Sequence, residues 1–336
     1  MIFPRTLLGA GLLALAAACG PATVKQTRMQ MGTRVEITAA GKDRALVAAR
    51  IAAAFGEIDR LEGLLSSFRP DSEVSRINRA AGVAPVAVSP EVFEVIARSL
   101  EVSRFSGGAF DITFAALGDL WDFSGQKPGK VPEPAEIAEK LKRVGFSRVR
   151  LDPQARTVFL PERGMQIGLG GIAKGYIVDQ ALEVLQVEGV DRALVAASGD
   201  MRSFARPGQR AWKIGIQDPG RRDRLLGELE ITNLAAATSG QYERFFEFQG
   251  RRYGHILDPR TGWPAAGCRS VTVLAGEAWE ADAYATALFV LGPVPGMALL
   301  RSRPGVEAMI VDAEGRSEMS AGFESRLAGL SGKKEF

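Results

Sequence analysis

GLGGIAKGYIVDQALEVL, residues 168–185, is the stretch on which the fold turns. A glycine-rich turn, expected to follow a short strand, opens a helix whose Ile177, Val178, Ala181, Leu182 and Leu185 form one apolar stripe. A doubly wound parallel sheet would continue with alternating strands and helices. The chain instead continues with strand patterns at 193–197, 212–216, 235–238, 270–275 and 308–312, separated by turn residues. The glycine spacing fits neither a Walker loop nor the dinucleotide GxGxxG pattern. The sequence therefore predicts an α+β fold, with mixed or antiparallel sheets and packed helices. Glycines at a helix start also let backbone amides approach a phosphate, although most such turns only turn.

Upstream, 34–39 alternates like a strand, and 42–65 places Ile51, Phe55, Ile58 and Leu65 at helical spacing. Ser89-Pro90-Glu91 is a helix start, with a serine cap and proline at the first helical position, for a helix running to about Phe105. Another strand is predicted at 157–160.

At the N-terminus, Arg5 precedes an apolar run over 7–18 that is too short to span a bilayer as a helix, which needs about 20 residues. The run leads into Leu15-Ala16-Ala17-Ala18-Cys19. This segment resembles a bacterial lipoprotein signal, with Ala16 where the usual box prefers leucine. It implies a signal peptide over 1–18, export, lipidation of Cys19 and anchoring on the periplasmic side of a membrane. A tether over 19–26 and one domain over 27–336 are expected to follow. Cys268 would then be the only thiol left, with a buried, inert side chain as its default role. Lys and Arg total 42 against 39 Asp and Glu, mixed in sign along the chain, which argues against nucleic acid as a partner.

The chain has one histidine, His255, inside TSGQYERFFEFQGRRYGHILDPRTGWP, residues 238–264. Imidazole titrates near pH ~6.5 and suits acid or base work at neutral pH, though a lone histidine is more often structural. Asp258 follows three residues on, in what reads as a strand entering a tight polar turn. Asp282 and Thr286 stand four apart in an alanine-rich helical stretch, on one face, where hard oxygens suit Mg²⁺. The same spacing is common on solvated helices. Phe68, in SFRPDSEVSRIN, and Phe110, in SGGAFDIT, could stack on a flat ring or serve the core.

Taken in order, Met31-Gly32-Thr33, SFRPDSEVSRIN, GGAFDIT with Trp121, LGGIAKGYIVD, Ser198-Gly199-Asp200, the 238–264 stretch and DAYAT resemble the ApbE family, the FAD:protein FMN transferases. The resemblance runs from about Thr27 to Gly292. It implies two lobes around a central FAD cleft, FAD as substrate, Mg²⁺ as cofactor, and transfer of FMN to a threonine or serine hydroxyl with release of AMP. The implied acceptors are flavoprotein subunits of membrane redox complexes, such as sodium-pumping NADH:quinone reductases and their Rnf relatives. By the same resemblance the flavin and its linker would meet Met31, Phe68 and Ala109-Phe110-Asp111, while Gly168, Lys174 and Ile256 line the rest of the FAD site. Mg²⁺ would meet Asp282, Thr286 and a backbone oxygen near Gly171. His255 would act as base, with Asp258 or a neighbour orienting the site. Gly168 departs from the family, many of whose members have aspartate there, and Ser198 replaces a common glycine. FAD hydrolysis to FMN and AMP is the alternative activity, and a non-catalytic FAD-binding lipoprotein is the alternative of a different class.

Overall fold

The computed structural model describes residues 22–123 and 129–328; the leader and Cys19 lie outside the described residues. Eight strands form one antiparallel sheet in chain order: β1 (Ala22–Gln30), β2 (Thr33–Gly41), β3 (Arg192–Ala197), β4 (Asp200–Ala205), β5 (Ala235–Gly240), β6 (Cys268–Ala275), β7 (Glu307–Asp312) and β8 (Ser317–Met319). The predicted strands 34–39, 193–197, 235–238, 270–275 and 308–312 are all members, and 157–160 and 212–216 form strands in smaller sheets. β1 pairs with β2 along its whole length, so residues 22–26, expected in the tether, are strand. Their pattern hid this because β1 is an edge strand that buries only Val24 and Gln30.

Alternation along the strands sorts the core into two layers. Val35, Ile37, Val195, Val273 and Ile310 face a large cluster shared with the helices, whereas Leu274, Met309 and Val311 face the opposite way. That second face is covered by the hairpin Trp212–Asp218 and Arg221–Ile231, through Trp212, Ile214, Leu229 and Ile231, together with Phe323.

The helices are α1 (Arg44–Leu65), α2 (Glu73–Arg79), α3 (Pro90–Phe105), α4 (Pro134–Leu141), α5 (Ala173–Leu185), α6 (Ala278–Leu291) and α7 (Pro293–Leu300). α1 starts at Asp43, whose carboxylate accepts from the Ala45 and Leu46 amides, and α3 starts at Ser89, followed by Pro90. A third cluster, built on Leu117, Trp121, Ile137, Tyr253 and Leu257, forms a smaller aromatic lobe beside the sheet. Gly262 turns the chain there with φ 75°, and its carbonyl accepts the Trp121 indole N–H at 3.0 Å.

Neither α5 nor α6 caps its own N-terminus with a side chain; each borrows a buried aspartate from the other. Asp179 of α5 accepts the first two amides of α6, Ala278 at 2.7 Å and Trp279 at 2.9 Å, and also Arg202 at 2.8 Å. Asp282 of α6 accepts the third amide of α5, Gly175, at 3.1 Å. Burial pushes the Asp179 carboxyl up to about 6 against the pull of Arg202. A Cβ at position 175 would collide with the Ala278 carbonyl, so only glycine permits this approach. Asp179→Ala is expected to lower unfolding stability by about 3 kcal/mol in urea denaturation, since it strands Arg202 and two helix-end amides together. Asp179→Asn, which keeps an acceptor, is expected to lose roughly half as much.

Candidate active site

A cleft of about 850 Å³ opens between the sheet-and-helix body and the aromatic lobe. It is lined by Met31, Phe68, Ala109, Phe110, Asp111, Gly168, Gly171, Lys174, His255, Ile256, Asp282 and Thr286, so residues spread over most of the chain converge there.

One end is shaped by the β1–β2 turn. Met31 (φ 53°) and Gly32 (φ 65°) are both left-handed, the geometry of a two-residue type I′ hairpin, which costs a methionine about 1 kcal/mol. Glu62 of α1 steadies it by accepting the Met31 amide at 2.8 Å. Phe68 stands at the rim with 92% of its surface exposed, whereas Phe110 is buried in the core beside Gly171. Of the two aromatic candidates, Phe68 has the free face.

The other end is polar. Asp282 is buried on α6, and Thr286 follows one turn later with its hydroxyl 3.5 Å from that of Ser239. α6 is buried on nearly every side, so the alternative of a solvated helix face is overturned. A Cβ on Gly171 would lie 3.0 Å from Thr286 Oγ1, so this main-chain segment lies close against the hydroxyl. Carboxylate, hydroxyl and main chain in one corner make a hard-oxygen set that fits a small divalent cation. Burial and the nearby Asp200 push the Asp282 carboxyl upward. Lys174 pairs with Asp200; burial opposes its charge, but Asp200 and Asp282 outweigh that and hold the ammonium above its ordinary range.

His255 also lines the cleft. Its Nδ1 lies 3.2 Å from the Arg244 carbonyl, and its own amide donates to the same oxygen at 3.1 Å. A carbonyl can only accept, so Nδ1 carries the proton and Nε2 keeps its lone pair. Burial, with the nearby positive charges of Arg244 and Lys174, lowers the ring to about 4, partly opposed by the Arg244 carbonyl bond. The imidazole is a neutral base throughout the physiological range.

The ApbE family model matches residues 31–310. The chain belongs to the ApbE family. With that family it belongs among the transferases. A protein of Treponema pallidum named FAD:protein FMN transferase is 38% identical over 304 residues, covering 83% of each chain. One of Escherichia coli K12 with the same name is 30% identical, covering 81% of this chain and 80% of its own. The crystal structure of the ApbE protein of Thermotoga maritima superposes with TM-score 0.83 at 33% identity, covering 92% of this chain and all of that one. The flavin transferase ApbE of Vibrio cholerae gives TM-score 0.79 at 28% identity, over 92% of this chain.

Within this ApbE site, two expectations need correction, the orienting role of Asp258 and the strand before Gly168. Asp258 does not line the cleft: its carboxylate takes a two-point contact from Arg260 at 2.8 Å, and its backbone closes the 258–262 turn. His255 is oriented instead by the Arg244 carbonyl. Asp111 does line the cleft, yet its carboxylate already receives the Thr113 amide and hydroxyl at 2.7 and 2.6 Å and the Phe146 amide at 2.9 Å. It holds the wall together. The short strand expected before Gly168 is absent, and the Asn78 side chain takes a strand partner's place by bonding the Ile167 amide and carbonyl at 2.8 and 2.9 Å. Gly168 donates its amide to Ile112, and a Cβ there would lie 3.1 Å from that of Ala115.

Ser198, noted in the sequence for its departure from the family, lines the cleft, and so do Glu62, Ser239, Glu243 and Arg244, which were not singled out from sequence. Glu243 and Arg244 flank each other within the 238–264 stretch, but nothing in the residue types shows which way a hairpin points them. Because the chain has one histidine, its imidazole gives a single signal by nitrogen-detected NMR. Titration is expected to show the Nδ1–H tautomer and a midpoint near 4. A midpoint near ~6.5, the value for a solvated ring, would refute the buried geometry.

Proposed function

We propose that this ApbE protein is an FAD:protein FMN transferase that moves the FMN portion of FAD onto a threonine or serine hydroxyl of an acceptor protein. The observation that carries the reading is a neutral histidine, Nε2 free, in the same cleft as the Asp282 and Thr286 oxygens. The acceptor hydroxyl oxygen attacks the FMN-side phosphorus, its proton passes to His255 Nε2, and the bond to the bridging pyrophosphate oxygen breaks so that AMP departs. Asp282, Thr286 and the main chain at Gly171 would hold Mg²⁺, which supplies charge neutralisation on the pyrophosphate. The left-handed Met31 turn and the exposed Phe68 hold the flavin end, and the buried walls of α5 and α6 keep the reacting groups in register. No covalent enzyme intermediate is required.

The leader over 1–18 and Cys19 support export and a lipid anchor on the periplasmic side of a membrane. That location suits acceptors that are flavoprotein subunits of membrane redox complexes. With the strand β1 starting at Ala22, so short a link keeps the catalytic body close to the bilayer surface.

Incubation with FAD, Mg²⁺ and such a subunit is expected to raise the acceptor's intact mass by one phosphoester-linked FMN, only when Mg²⁺ is present. Release of AMP without labelling would make the protein a hydrolase; FAD binding with neither product would make it a binding protein. His255→Ala is expected to slow transfer by about 10²–10⁴-fold while leaving the Kd for FAD nearly unchanged. Transfer at the wild-type rate would remove His255 as the base.

A further inference from the structure

Three cationic side chains line the cleft: Arg69, Lys174 and Arg244. Lys174 is paired with Asp200, and Arg69 lies 3.7 Å from Asp71. Among the described residues the Arg244 guanidinium has neither an ion pair nor a side-chain hydrogen bond. It is nonetheless held in place from behind. The Arg244 carbonyl takes both the amide and Nδ1 of His255, at the base of the hairpin Phe245–Phe248 and Arg251–Gly254. Its Nη2 reaches the β1–β2 turn, 3.9 Å from where a Cβ on Gly32 would stand. The guanidinium therefore stands beside the Met31–Gly32 turn, on the residue whose backbone carbonyl orients His255.

We propose that Arg244 binds the phosphate that is transferred, its guanidinium fork on the non-bridging oxygens of the FMN-side phosphate. This rests on the transferase reading. A hydroxyl held by His255 Nε2 must lie within about 3–3.5 Å of the phosphorus it attacks, and the ring is fixed by the backbone carbonyl of Arg244. The phosphate attacked beside that ring lies in the same cleft that the Arg244 side chain lines, within the reach of a long guanidinium arm. Planar bidentate donors match phosphate oxygens, and negative charge spread over those oxygens in the transition state strengthens the contact. The AMP-side phosphate, joined to it through the bridging oxygen, is the one on the Asp282 and Thr286 side and takes no part of the guanidinium fork.

The test uses the full chain with Mg²⁺, in wild type, Arg244→Gln, Arg244→Lys and the exposed control Lys213→Gln, which removes a surface charge outside the cleft lining. Affinities for FMN, riboflavin and AMP are measured by calorimetry, and transfer by acceptor mass. Arg244→Gln is expected to weaken FMN about 10- to 100-fold and to lower kcat for transfer, with riboflavin and AMP unchanged. Arg244→Lys should recover part of both losses, because it keeps the charge and loses the fork. Lys213→Gln should match wild type. Equal weakening of riboflavin and FMN would show lost packing and overturn the assignment. So would weakening of AMP in place of FMN, or a rise in the acceptor KM with FMN affinity intact. A wild type that binds FMN no tighter than riboflavin overturns it as well. Failure of the transferase reading looks different: wild type itself neither labels an acceptor nor releases AMP.

Discussion

The exchange of aspartates between α5 and α6 is the constraint around which this molecule is arranged. Two helix N-termini meet with their amides unsatisfied, and each is answered by a carboxylate from the neighbouring helix. Burying either charge alone would be costly; placing each against helix-end amides, with Arg202 and Lys174 nearby, offsets that cost. The exchange also orients the site. With Asp282 anchored to the Gly175 amide, the next turn of α6 carries Thr286 to the main chain at Gly171. The polar corner of the cleft is thus a by-product of how two helices satisfy their ends.

From that corner outward, charge is distributed unevenly. Carboxylates and Lys174 balance one another beside α5 and α6, whereas the His255 imidazole is neutral and, among the described residues, the Arg244 guanidinium has no ion pair. Burial first, and two neighbouring cations after it, keep the histidine unprotonated at neutral pH, the form in which it can accept a proton. The same positive surroundings favour an anionic substrate over a neutral one. Substrate charge and base strength are therefore set by one arrangement of side chains.

Much of this was legible in the chain. Strands with clean alternation, helices with polar caps at Asp43 and Ser89, and the glycine turn before α5 declare themselves through local chemistry. β1 did not, because an edge strand has little to bury, and the segment before Gly168 did not, because its strand partner is a side chain. Residue types at the site were recognisable only when taken together as a family pattern. Direction was not: Asp258 and Asp111 have the right chemistry but direct it into a turn and a wall, while Arg244, one of many arginines, is aimed into the cleft by a hairpin whose orientation depends on distant packing.

The sheet runs in chain order with one long interruption, between Gly41 and Arg192, and that excursion carries Phe68, Ala109, Phe110 and Gly168. His255, Asp282 and Thr286 come from a later stretch of chain. Closing a long loop costs only slightly more entropy than closing a short one, so the loops between the helices of this excursion can lengthen or shorten with little penalty, while α1 and α5 stay fixed by the core they share with the sheet. Of the polar corner only the main chain at Gly171 comes from the excursion; His255, Asp282 and Thr286 all follow it in the chain. A lineage could rebuild the exposed rim around Phe68 while leaving those later side chains where they are.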